Sequence, residues 1–256
     1  MRIVALLSIL FVIVAGAWMT EKRMASWERP ILVTVYPIIA DQNAATARFV
    51  DQLDVEVFEA VNAFLERETL AYGMDVTPAF RFQLAPTSRE LPPMVPGQFD
   101  TLDIALWSLK MRWWSWKQRF GHDLVNADIQ MFVLYHALNG NEELGISVGM
   151  RKGRYGVVKA YARQSQQATN HVIFTHELLH VLGASDKYVL STGEPIHPEG
   201  FAEPDRTPLY PQRYAEIMGG RRPVGPGLYN VPTSLDQCRV GPATAREIGL
   251  YDLLKH

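Results

Sequence analysis

The sequence predicts an α/β fold of the α+β kind, a helix-packed sheet followed by a smaller, loop-rich region. Three observations predict it. Strand-like and helix-like apolar patterns alternate from Ile31 to Leu182; that stretch closes on a helix carrying the pentapeptide HELLH; and periodicity then fades into a segment, Ser191 to Pro232, that holds half of the sixteen prolines. At 256 residues and 48% hydrophobic, the chain can build one substantial core or two small subdomains and is not a disordered protein. Its 25 basic and 27 acidic residues leave no polybasic field, which excludes nucleic acid as a partner.

Residues 1–23 read as a targeting segment. Arg2 precedes an apolar run from Ile3 to Met19, which Thr20-Glu21-Lys22-Arg23 ends. The run is at the lower edge of bilayer-spanning length, and Ala15-Gly16-Ala17 also fits a signal-peptidase site. Trp18 directly after that site favours an uncleaved membrane anchor with the following domain exported; cleavage would make the domain secreted or periplasmic. The single cysteine, Cys238, rules out an internal disulfide and reads as a small buried side chain.

The first strand is ILVTVYPII, Ile31 to Ile39, β-branched and apolar. Ala44 to Leu70 then reads as one helix, with Val50, Leu53, Val57, Val61 and Phe64 at three-and-four spacing. Pro78 to Leu84 is a second strand, and Pro86 to Gly97 a loop. Asp100 to Phe120 is a helix holding four of the six tryptophans. Leu102, Leu106, Leu109, Trp113, Trp116 and Phe120 follow four-three spacing and predict its buried stripe. Trp107, Trp114, Lys110 and Lys117 form a neighbouring stripe, read as ordinary packing under lysine stems, with a membrane interface as the alternative. Ile129 to Leu138 is a buried strand. Gly145 to Met150 and Tyr155 to Ala162 form a hairpin around the basic turn Arg151-Lys152-Gly153-Arg154. At the C-terminus, Pro242 to Leu254 reads as a helix capped by Gly241.

Ala168 to Leu182 has helical periodicity without internal Gly or Pro. At roughly 100° per residue, His176 and His180 lie one turn apart on one face, so both imidazoles can reach one metal ion. Glu177, one position off, stands beside that ion as a base for a bound water rather than as a ligand. Gly183 ends the helix and permits a left-handed reversal, which brings Asp186 back as third ligand.

HELLHVLGASD, His176 to Asp186, resembles the metzincin metallopeptidase signature HExxHxxGxxH with aspartate in the last place, as in snapalysin-like enzymes. Downstream, Ala215-Glu216-Ile217-Met218-Gly219-Gly220 resembles the methionine turn of that family. The resemblance implies a zincin fold, with a twisted mixed sheet and the HExxH helix over residues 24–186 and a subdomain with a Met-turn over 187–256. It implies Zn2+ on His176, His180 and Asp186, Glu177 as catalytic base, Met218 as floor, and a peptide or protein substrate. The sequence departs from the family in its third ligand, which offsets more metal charge than imidazole and leaves more activation to Glu177. It departs also in having no tyrosine after Met218, so Tyr188 and Tyr214 are the candidates to hold an oxyanion.

Other ligands are weighed against Asp186. Glu199, Glu203 and His197 lie downstream in the Pro-rich stretch, while His122, His136 and His171 lack partner spacing and read as structural. Arg221 and Arg222 can meet a substrate carboxylate, although surface solvation or a local ion pair is the simpler reading. HExxH fixes the chemistry but not the acyl group, so a zinc amidase acting on a cell-wall amide is an alternative. A non-catalytic zincin-fold binding domain is another, weakened by the intact Glu177.

Overall fold

The computed structural model describes residues 27–74, 77–93, 101–119, 124–138 and 147–250, with 11, 15, 16, 19, 22–24 and 26. Residues 1–23, read from sequence as a targeting segment, therefore lie almost wholly outside the described residues. Among the described residues no helix is long and apolar enough to cross a membrane.

A five-stranded mixed sheet organises the chain. It comprises β1 (Ile31–Ile39), β2 (Phe80–Leu84), β3 (Ile129–His136), β4 (Val148–Met150) and β5 (Tyr155–Tyr161), in the order β2-β1-β3-β5-β4. The first four positions run parallel, and β4 returns antiparallel to β5 as the outer strand. The pleat splits the apolar side chains between two faces. Val33, Val35, Met131 and Val133 point into one core, and Tyr36, Ile38, Phe132 and Leu134 into the other.

Helices α1 (Ala44–Asp51), α2 (Glu59–Ala71) and α4 (Gln167–Leu182) contribute to the first core, and α3 (Thr101–Lys117) covers the second. The structure corrects the single helix expected over 44–70. Gln52 caps α1, and the Asp54 carboxylate accepts from the Val55 N–H to start a short 3₁₀ turn, Val55–Phe58, before α2. Apolar periodicity ran through the break because Leu53 and Val57 still pack on the core.

The buried stripe of α3 is also corrected. Trp107, Met111 and Trp114 are the buried positions, while Leu106, Leu109, Trp113 and Trp116 are exposed. Both stripes have four-three spacing and both are apolar, so periodicity alone does not choose between them. Polar partners distinguish the buried one. The Trp107 indole N–H donates to Pro93 O (3.0 Å), the Trp114 indole N–H to Glu90 Oε1 (3.1 Å), and the Ser115 hydroxyl to Gln130 on β3. The side chain of Leu102 and all of Phe120 lie outside the described residues.

After Tyr188 the chain forms short two-stranded ladders joined by loops. This part adds Ala215, Ile217, Met218, Cys238 and Ala245 to the first core. Cys238 is buried, as its sequence context predicts, and burial pushes its thiol up to about 12. The last helix, α5 (Pro242–Glu247), follows Gly241 but ends well before Leu254, with Gly249 in a positive-φ turn. The buried Trp27 indole N–H donates to Ile248 O (2.9 Å), joining the chain before β1 to the end of α5.

Candidate metal centre

Helix α4 buries Phe174, Leu178, Leu179 and Val181 in the first core, which leaves His176 and His180 on its partly exposed side. Asn170 fixes its first turns by accepting from Tyr161 N (3.0 Å) and donating to Tyr161 O (2.9 Å) at the end of β5. Gly183 ends the helix with φ +117°, its N–H donating to Leu179 O and His180 O. A side chain there would be strained, and the chain reverses as its glycine predicts.

The reversal brings Asp186 to both histidines. Asp186 Oδ1 stands 3.2 Å from His176 Nε2 and 3.2 Å from His180 Nε2, and the two Nε2 atoms are 3.0 Å apart. Among the described residues this is the group of three His, Cys, Asp or Glu side chains whose ligand atoms converge. Each imidazole is oriented from its other nitrogen. His176 Nδ1 lies 2.9 Å from Ile217 O and His180 Nδ1 2.8 Å from Ala184 O, and a carbonyl can only accept. Both Nδ1 atoms therefore carry the proton, and both Nε2 lone pairs face a carboxylate oxygen. That Asp186 oxygen is buried without a hydrogen-bond partner.

Three acceptors face one another with no proton between them, which is the donor set of a cation site. Ligand atoms on a tetrahedral zinc, each about 2.0–2.2 Å from the ion, lie roughly 3.3 Å apart, close to this triangle. Burial raises the Asp186 carboxyl, but when a proton occupies Nε2 of the imidazoles they outweigh burial and hold the carboxyl well below the usual carboxylate range, so a proton and a cation compete for the same place. The site is thus built to keep positive charge beside Asp186.

Glu177 is buried and its Oε2 has no hydrogen-bond partner. Burial pushes its carboxyl up, opposed by His176, His180 and the N–H of Gly149 on β4. A partly desolvated carboxylate next to a cation site is suited to taking and returning a proton. Tyr188 lies with its ring centroid 6.4 Å from that of His176. Burial and the negative charge of the neighbouring Asp186 carboxylate push Tyr188 up to about 12, so it remains an O–H donor.

The segment around Met218 backs the site with two carbonyls. Ile217 O accepts from His176, and Met218 O accepts from Lys187 N (2.9 Å), beside the third ligand. Met218 itself is fully buried. Tyr214 is placed differently, with the Arg239 guanidinium over its ring at 3.7 Å.

The rival ligands are occupied elsewhere. Glu203 accepts from the Arg213 guanidinium and backbone, His197 lies against Phe201, and Glu199 is exposed. His171 is buried and accepts from Gln167, and burial pushes its imidazole down. His122 lies outside the described residues. Arg221 donates to Thr192 O and Arg222 to Arg213 O.

Four supporting residues had no role assigned from sequence. Glu247 on α5 accepts from Ser185 N (2.8 Å), from Ser185 Oγ (2.7 Å) and from Lys187 Nζ (2.7 Å), gripping the chain on both sides of Asp186. Lys187 is buried while Glu247 is exposed, so the carboxylate replaces hydration that the ammonium has lost. Glu216 is fully buried and accepts from Gly219 N (2.7 Å), Gly241 N (3.0 Å) and Thr244 Oγ1 (2.7 Å), locking the Met218 turn to the start of α5. Its signal was an acidic residue inside an otherwise apolar and glycine turn. Gly149, the fourth, gave no local signal, because what it touches is distant in sequence.

No family model matches the chain, and no curated protein matches it.

Proposed function

We propose that the chain is a zinc-dependent hydrolase of the metzincin kind that cleaves peptide bonds. The observation that carries this reading is the convergence of His176 Nε2, His180 Nε2 and Asp186 Oδ1, with both Nδ1 protons committed to carbonyls. Three protein ligands leave a tetrahedral ion one position for water, whereas a structural zinc site is closed by four. The turn holding Met218 then corresponds to the Met-turn, and the sheet with α4 to the zincin core.

His176, His180 and Asp186 would hold a zinc ion, which would supply Lewis acidity to a water and to the scissile carbonyl. Glu177 takes a proton from the attacking water as its oxygen bonds to the carbonyl carbon. As the carbon–nitrogen bond breaks, Glu177 passes that proton to the leaving amine. Tyr188 stays protonated beside Asp186 and keeps an O–H to donate. Strand β4 supports a peptide over another amide. It is the outer strand of the sheet and passes directly beside α4, and among the described residues no strand pairs with its outer edge, so an extended chain can pair there next to His176 and His180.

The test is zinc content per chain and cleavage of a mixed-sequence peptide library by the zinc-loaded full chain, compared with Asp186→Ala. One zinc in the parent, much weaker retention in the variant, and new amino termini released by the parent alone are expected. Zinc retained equally by Asp186→Ala sinks the ligand assignment. A zinc-loaded parent that releases no amines from any peptide sinks the peptidase reading.

A further inference from the structure

The outward face of α3 is apolar and has no covering element among the described residues. Leu109 and Trp113 are 63% and 66% exposed, and Leu106 and Trp116 are 56% and 48% exposed. Trp113 and Trp116 lie with ring centroids 5.0 Å apart. At roughly 100° per residue, Leu109 and Trp113 mark the centre of this face, Arg112 borders it on one side, and on the other stand Lys110 and Lys117, the latter paired with Glu90 (3.3 Å). The face is therefore an apolar strip whose margins carry Arg112 on one side and Lys110 beside the Lys117–Glu90 pair on the other, on a helix whose opposite side is anchored in the core by Trp107, Met111 and Trp114.

The cationic margin continues into the hairpin turn between β4 and β5. The Arg112 guanidinium donates to Lys152 O (3.4 Å), and Lys152 with Arg151, Arg154 and Arg246 lines a cavity of about 440 Å³. Its acidic lining residue, Glu247, is engaged by Lys187. The protein as a whole carries a formal charge of −2, so this concentration of cations is local. Burial and the neighbouring Arg119 and Arg23 guanidiniums push Arg154 below the ordinary arginine value, with Arg23 itself paired to Asp128. Met24 also lines the cavity, and it follows the Ile3–Met19 apolar run in the chain.

A second copy of the chain is a poor occupant, because two-fold pairing across α3 would bring like-charged margins together. Tryptophan and leucine flanked by lysine and arginine instead match the boundary between lipid headgroups and acyl chains. We propose that the outward face of α3 and the adjoining basic cavity form one docking surface for an anionic phospholipid bilayer. Leu106, Leu109, Trp113 and Trp116 enter the acyl boundary, while the cavity cations take lipid phosphates. This surface is independent of the hydrolase reading.

The full chain in lipid nanodiscs tests it, with phosphatidylcholine alone or mixed with phosphatidylglycerol, each carrying brominated acyl chains that quench nearby indoles. The signal from the face is the difference between the parent and Trp113→Phe/Trp116→Phe, since both positions are exposed and tolerate phenylalanine. Quenching of this component is expected to rise in the anionic discs. Arg112→Glu/Lys152→Glu should weaken docking by about fivefold per cation lost while leaving the melting temperature unchanged. Equal quenching in both lipids, with the component as open to aqueous iodide as in detergent, overturns the proposal. So does protection from iodide that appears in detergent as protein concentration rises, because a second copy then covers the face.

Discussion

Gly149 is pressed so closely against His180 that a Cβ built on the glycine would stand 2.5 Å from the histidine's own Cβ and 2.4 Å from the carbonyl oxygen of Glu177. The edge strand and α4 are therefore in close contact at the candidate metal centre. Gly149→Ala must push β4 away from α4, at a cost of about 1–3 kcal/mol. A lowered melting temperature together with weaker zinc retention in a chelator competition is the expected result. Unchanged values for both would show that the contact is slack.

Glu177→Gln leaves the three ligand atoms untouched and removes the base. The variant should bind one zinc per chain as the parent does and lose about 10²–10⁴-fold in turnover. Substantial residual cleavage by the zinc-loaded variant rejects Glu177 as the proton carrier.

Glu247 gives the ligand loop a dependence on pH. Burial raises its carboxyl, but the Lys187 ammonium and the Ser185 N–H and hydroxyl outweigh burial and hold it below the ordinary glutamate value. A depressed folded value means stability that is present above the unfolded pKa, about 4.3, and lost as pH falls through the folded one. The gap in melting temperature between the parent and Glu247→Gln should thus be open at neutral pH and close below pH ~4. A gap of the same size throughout acidification would assign the contact no ionic component.

Glu216 accepts hydrogen bonds on both oxygens inside the fold. Glu216→Gln replaces one acceptor with an amide donor facing an N–H or hydroxyl donor, which costs about 1–3 kcal/mol for the group left unsatisfied. Thermal unfolding checks it, with the isosteric shape of glutamine ruling out a cavity as the cause. A variant as stable as the parent would mean that the Met218 turn stands without this carboxylate.

Local chemistry explains what could be read from the chain alone. The limits of β1, the ligand helix and its glycine stop rest on neighbours in sequence, and the same is true of Asp186, which the Gly183 reversal returns to the histidines. The orientation of α3 was not legible, because two equally spaced apolar stripes compete. The choice between them depends on Pro93, Glu90 and Gln130, which are remote from the helix face in sequence. Gly149, Glu216 and Glu247 were hidden for a related reason. Each acts on a partner distant along the chain, and a single glycine or glutamate in a short element looks the same whether it is solvated or gripping a ligand loop.

Mechanical load has a short path through this molecule. The Trp27 indole holds the carbonyl of Ile248, the residue next to Glu247, and Glu247 holds Ser185 and Lys187 on either side of Asp186. A pull delivered through the chain before β1 reaches Asp186 across two hydrogen-bonded joints and the one peptide link between them. A molecule held by that end and dragged by its surroundings would feel tension first where Asp186 meets the histidines.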